Sequence, residues 1–205
     1  MTATTAAPNE YTPIPNSVLP DANIWFSTTL HAWIGLLAAE TLDSWSFYWT
    51  EDILAEAIYH KRREYPKTSS HQIEAIRDRL MTVMAENRIT GFAIDESVSY
   101  SDTFDAHVHS AAIHGRIQII VTQDYKDFAG LYSNSDDCPY EVFTPDEFLL
   151  LVAESAPEAI DAVIEQQFSY YMQKSHSFNL VQKLISAGCP HFAEYVRTRL
   201  QALSP

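Results

Sequence analysis

The chain has 205 residues, 46% of them apolar, and carries 13 Lys and Arg against 27 Asp and Glu, a formal net charge of −14 with histidine neutral. The apolar share supports a packed core and excludes the low hydrophobicity of a disordered chain. The surplus of acid excludes broad nonspecific affinity for nucleic acid, since phosphate is held by Lys and Arg, but leaves room for a local site.

Residues 1–16 contain Pro8, Pro13 and Pro15, no Lys or Arg and no apolar stretch, and read as a flexible tail rather than a signal peptide. Ser17 to Leu19 leads into Asp21 to Ser27 as a short strand whose end turns into a helix bearing Trp25, Phe26, Leu30, Trp33, Ile34 and Leu37. Trp45 to Trp49 alternates aromatic with polar residues as a second strand. Thr50 then caps a helix with Glu51 and Asp52 in its first turn and Ile53, Leu54, Ala57 and Ile58 along its apolar stripe. Ser69 or Ser70 starts another helix that keeps its spacing up to Asn87.

Ile89 to Ile94 reads as a strand and Asp95 to Ser101 as a polar loop. Asp102 to Asp105 enters a short helix with Val108, Ala111 and Ala112 on one face and Gly115 as its left-handed stop. The β-branched run Ile117 to Thr122 suits a strand covered on both faces. Further on, Thr144-Pro-Asp-Glu147 forms a capping box and Ser155-Ala-Pro-Glu158 a similar device. Helices are expected at about 145–154, 157–173, 177–187 and 190–203. The division is therefore a tail to residue 16, an α/β domain over 17–143 and an all-helical extension over 144–205.

The longest uncharged apolar runs, Trp33 to Ala39 and Phe148 to Ala153, are far short of the roughly 20 residues of a membrane span. Cys138 and Cys189 are unclustered, each followed by proline, and form neither a disulfide framework nor a zinc pattern. A cytoplasmic protein with reduced thiols is expected.

Four acids fall where an α/β fold exposes its chemistry: Asp21 and Asp124 beside predicted strands, Asp105 at a helix start and Glu56 at the edge of a helix's apolar face. Each also has a structural reading. Asp102 and Asp105 could serve as the cap and third position of a helix, Asp124 as turn chemistry, and Asp21 as the cap of the helix after it. Carboxylates brought together repel by about 4 kcal/mol per pair at 4 Å and an effective dielectric of 20. An oxygen-only set of this kind favours Mg²⁺ or Mn²⁺ as the compensating ion. His107, His109 and His114 could make a zinc site, but on a helix His107 and His109 differ by about 200° and cannot share an ion. No nucleophile elbow or glycine-rich phosphate loop is present.

Four segments in order, Asp21-Ala-Asn23, Ile53-Leu-Ala-Glu56, Asp102-Thr-Phe-Asp105-Ala-His-Val108 and Thr122-Gln-Asp124 with Asp127-Phe128, resemble the PIN-domain nucleases. They are most similar to the VapC-type toxin ribonucleases of bacterial toxin–antitoxin pairs, in a longer subfamily with a helical tail. The resemblance implies a Rossmann-like parallel sheet flanked by helices. It maps Asp21, Glu56, Asp105 and Asp124 onto the acidic quartet, Asp21, Asp105 and Asp124 as metal ligands, with Asn23, Thr122 and Asp102 in support. Asp127 competes with Asp124 for the fourth place. Phe104 and Ala106 depart from the family pattern, which calls for an Asp and a basic residue there.

A metal-dependent cut of RNA is implied, with Lys61, Arg62, Arg63 and Lys67 steering the backbone and Arg116 and Lys126 nearer the site. The four clustered cations have a plain alternative as a solvated helix end complementing its dipole. A basic cognate antitoxin and a homodimer are the partners implied. A catalytically silent PIN-like scaffold and a housekeeping RNA-processing endonuclease are the competing functions.

Overall fold

The computed structural model describes residues 11–41, 44–174 and 178–203. Four parallel strands, β1 (Ile14–Pro20), β2 (Ser46–Phe47), β3 (Ile117–Val121) and β4 (Glu141–Phe143), lie in the order β2-β1-β3-β4. Leu19 pairs with Ile120 and Pro20 with Val121, so β1 and β3 end side by side at the centre. From that pair the sheet grows in opposite directions, which makes the crevice beyond their carboxyl ends the place where an open parallel sheet binds ligands.

Helices α1 (Ala22–Phe26), α2 (Thr28–Glu40), α3 (Glu51–Glu64), α4 (Ser70–Val83), α5 (Ala106–Gly115) and α6 (Tyr125–Ala129) complete the α/β part. Val18, Leu19, Ile117, Ile120 and Val121 are fully buried, as their β-branched, charge-free run requires of strands covered on both faces. The remaining helices are α7 (Pro145–Ser155), α8 (Pro157–Lys174), α9 (Leu180–Ser186) and α10 (Pro190–Leu203). The capping box of α7 is formed in both directions, Glu147 N donating to Thr144 Oγ1 and Thr144 N to Glu147 Oε2. These helices share one core with the sheet: Trp45 and Phe47 meet Phe148 edge-on, and Trp33 meets Phe192 at 5.0 Å. No helix among the described residues is long and apolar enough to cross a membrane.

Several sequence expectations are corrected. Residues 11–16 are tied to the sheet rather than free: Ile14 N donates to Arg116 O at 2.8 Å, and the Tyr11 hydroxyl donates to Ile117 O. Residues 1–10 lie outside the described residues, as does the expected start of the third C-terminal helix at 177; α9 begins at Leu180, capped by Asn179. Asp21 to Phe26 is helical rather than extended beyond its first residue, and the helix expected through Leu37 breaks at Ser27, whose extended backbone and side chain cap α2. Ile89 to Ile94 is not a strand. Only the bridge of Trp49 to Arg88 forms there, and Gly91 at φ 75° turns an exposed chain away.

Gly115 is the last helical residue of α5, and the left-handed conformation falls on Arg116 at φ 52°. Glycine at 115 serves packing instead: a Cβ there would lie 2.6 Å from Ile89 Cδ1, and that side chain would have to shift. The short elements α6 and β4 were not anticipated at all, since five and three residues are too few to show a period.

Candidate active site

Asp21 is the first residue past β1 and Thr122 the first past β3, so strand pairing alone sets them together. Asp21 caps α1, its Oδ1 accepting from Ala22 N at 2.6 Å. Its Oδ2 accepts from Thr122 Oγ1 at 2.8 Å and from Asn23 Nδ2 at 2.7 Å. The same Asn23 nitrogen reaches Asp124 Oδ2 at 3.1 Å, and Asn23 Oδ1 accepts from Gln123 N. Thr122 Oγ1 also accepts from Asp124 N at 3.0 Å. Two carboxylates are thus fixed on one amide. Asp21 is only 5% exposed, and burial pushes its carboxyl up to about 6 against the bonds from Thr122 and Ala22, with Glu56 adding repulsion.

Asp105 arrives from another direction. Asp102 accepts from Phe104 N and opens a 3₁₀ turn (Thr103–Asp105) that delivers Asp105 to the start of α5. Asp102 therefore caps and Asp105 is the third residue of that turn, the two places the structural alternative gives them, and the Asp105 side chain has no hydrogen-bond partner among the described residues. Burial, then repulsion from Asp21, Asp102, Asp127 and Asp124, pushes the Asp105 carboxyl up to about 7. Glu56, on α3, acts on Asp21 and meets α5 through His107: its Oε2 is 2.9 Å from His107 Nε2 and its Oε1 is 3.5 Å from His60 Nε2. Asp127 is held by Ser101 Oγ at 3.0 Å.

A sequence model of the PIN domain matches residues 17–126, more than half of the chain. The chain belongs to the PIN-domain family. PIN domains are generally metal-dependent nucleases. No curated protein sequence and no solved structure matches it.

Within this PIN domain the four expected acids are brought into one electrostatic group, joined by Asp102 and Asp127. Two expected nucleic-acid contacts are not. Arg116 precedes β3 and so stands at the end of the sheet opposite the acids. Lys61 is already engaged: its Nζ donates to Phe26 O at 2.8 Å and Thr28 Oγ1 at 2.6 Å and lies 4.7 Å from the Tyr65 ring centroid. Arg62, Arg63 and Lys67 are exposed at the end of α3 and beyond, and Lys126 is exposed two residues after Asp124. His60 as a second partner of Glu56 was missed, although its place one turn further along α3 was a usable signal.

Among the described residues no three His, Cys, Asp or Glu side chains stand close enough together to hold a metal ion as arranged. The donor chemistry nevertheless fits a hard divalent cation. The acids offer only oxygen, Asp105 is held by no hydrogen bond, and two carboxyls are raised by burial and mutual repulsion that a cation would relieve.

Proposed function

We propose that this PIN domain is a metal-dependent endoribonuclease, the toxin of a VapC-like toxin–antitoxin pair, with Asp21, Asp105 and Asp124 as ligands to Mg²⁺ or Mn²⁺. The observation that carries the reading is the unpaired, half-buried Asp105 set against an Asp21–Asn23–Asp124 lattice at the central strand ends. A bound ion supplies an activated water and a clamp on the phosphate for in-line attack.

The chain's own residues do the rest. Asn23 and Thr122 hold Asp21 and Asp124 in register and limit their repulsion. His107 fixes Glu56 through Oε2, leaving Oε1, only loosely approached by His60, to take the proton of the attacking water. Cleavage leaves a 3′-hydroxyl and a 5′-phosphate. The exposed cations Arg62, Arg63, Lys67 and Lys126 lead the backbone in, and Asp127 lends charge from the next turn. A net charge of −14 favours a basic antitoxin laid over the acids. A homodimer and a cytoplasmic location belong to the same proposal.

Purified protein incubated with RNA is expected to cleave it in Mg²⁺ or Mn²⁺ and to stop in EDTA. Asp21→Asn and Asp105→Asn should remove the activity with an unchanged circular dichroism spectrum. Variants as active as the parent would place the chemistry elsewhere. Growth arrest on expression, relieved by Asp105→Asn, separates the toxin from a housekeeping nuclease.

A further inference from the structure

Beside the acids lies an open cleft of about 700 Å³, within the roughly 300–1,000 Å³ range of small-molecule sites. Tyr59, Phe92, Ile94 and Phe104 line it together with Glu56 and His107. Tyr59 is 60% exposed and Phe104 67% exposed, so neither ring is accounted for by the core. The Tyr59 ring is set against His60 at 5.2 Å, and His60 in turn stacks on Phe26, which gives one wall of the cleft a fixed aromatic edge. Phe104 is the residue directly before Asp105, on the turn that Asp102 pins.

We infer that this cleft is a nucleobase subsite, taking a base next to the scissile phosphate between Tyr59 and Phe104. The inference rests on the nuclease reading for its substrate class. Three observations select a base over other occupants. The cleft is continuous with the acids, since Glu56 and His107 belong to both. No Lys or Arg lines it, while Asp52 does, so a phosphate is repelled. Exposed aromatic faces stack with any base and need no sequence match.

One carboxylate adds a preference. Asp52 can only accept hydrogen bonds when ionised, which suits the exocyclic amines of adenine, cytosine and guanine better than uracil, whose one donor on that edge, N3–H, is flanked by two carbonyls.

The test uses probes without phosphate, so that its result does not depend on metal or on hydrolysis. Adenosine, cytidine and uridine are titrated into the full chain and followed by NMR at the His107, Tyr59 and Phe104 ring signals. Saturable shifts are expected with adenosine and cytidine and weaker ones with uridine, with affinity roughly tenfold lower in Phe104→Ala and Tyr59→Ala and retained in Phe104→Trp. Both positions are exposed, so the alanine variants keep their fold.

Absence of a saturable shift with every nucleoside overturns the subsite even where RNA is cleaved, and leaves the aromatic pair as a protein contact. Saturable shifts without any cleavage of RNA uphold the subsite and reject the nuclease reading. On a short single-stranded RNA, Phe104→Ala should lose about tenfold in kcat/KM. It should lose nothing on the same oligonucleotide made abasic beside the cut. Equal losses on both substrates also overturn the proposal.

Discussion

His107 and His109 stand two residues apart on α5 and look in opposite directions. His107 faces Glu56 and the acids, a side where charges crowd together and Asp105 has no hydrogen-bond partner among the described residues. His109 is fully buried, its Nδ1 2.7 Å from the Tyr140 hydroxyl and its ring against Tyr100, Tyr132 and Tyr140. Burial holds that imidazole neutral by lowering its pKa and pushes the Tyr140 hydroxyl far above its usual value. One side of a ten-residue helix is organised by excluding charge, the other by concentrating it. Stability and the proposed chemistry are therefore expected to be separable along a single element.

The largest effects should divide between the two sides. Asp105→Asn is expected to lower RNA cleavage by on the order of 100-fold or more without loss of stability in metal-free protein. His109→Ala should lower unfolding free energy by about 3 kcal/mol, as large-to-small changes in a packed interior do, while the folded fraction keeps its kcat/KM. Urea unfolding alongside initial rates measures both. A strongly destabilised Asp105→Asn would dissolve the distinction.

Metal should act on the acidic side alone. Mn²⁺ at 100 times its Kd is expected to add about 2.7 kcal/mol to the parent by mass action. Asp105→Asn should respond far less. Thermal melts with and without Mn²⁺ read the difference.

The pH profiles should run in opposite senses. Asp21 and Asp105 have folded values of about 6 and about 7 against an ordinary 3.8, so in metal-free protein their contribution is full below 3.8 and is lost as pH rises through the folded values. His109 has a folded value below 6.5, so its contribution is present above 6.5 and is lost as pH falls. Urea midpoints across pH 4–8 should show Asp105→Asn removing part of the fall towards neutrality and His109→Phe part of the fall towards acid. The smallest change is expected at the end of the same helix, where Gly115→Ala pushes on Ile89 Cδ1 and lowers stability by about 1 kcal/mol, as overpacking does.

Much of this arrangement was legible in the chain. The β-branched run of β3, the cap Thr50 and the capping box at Thr144 declare themselves because their signals are local. Asp21, Glu56, Asp105 and Asp124 stood out as candidates from four segments that resemble the PIN nucleases in order, and the 3.6-residue period already set His107 and His109 apart. The roles of cations were not legible. Lys61 and Arg116 differ from Arg62 only in what lies across space from them, a carbonyl in one case and the far end of a strand in the other. Nor was the bond between His107 and Glu56, which depends on how α3 and α5 pack rather than on either helix alone.

The aromatic contacts between the sheet and the C-terminal helices limit how the chain can be shortened. Trp45, Phe47 and Trp33 pack against Phe148 and Phe192, which lie past residue 126, where the family match stops. A fragment trimmed to the matched segment would expose three large rings to water and lose cooperative folding. The smallest unit able to present these acids is accordingly one that runs into α10.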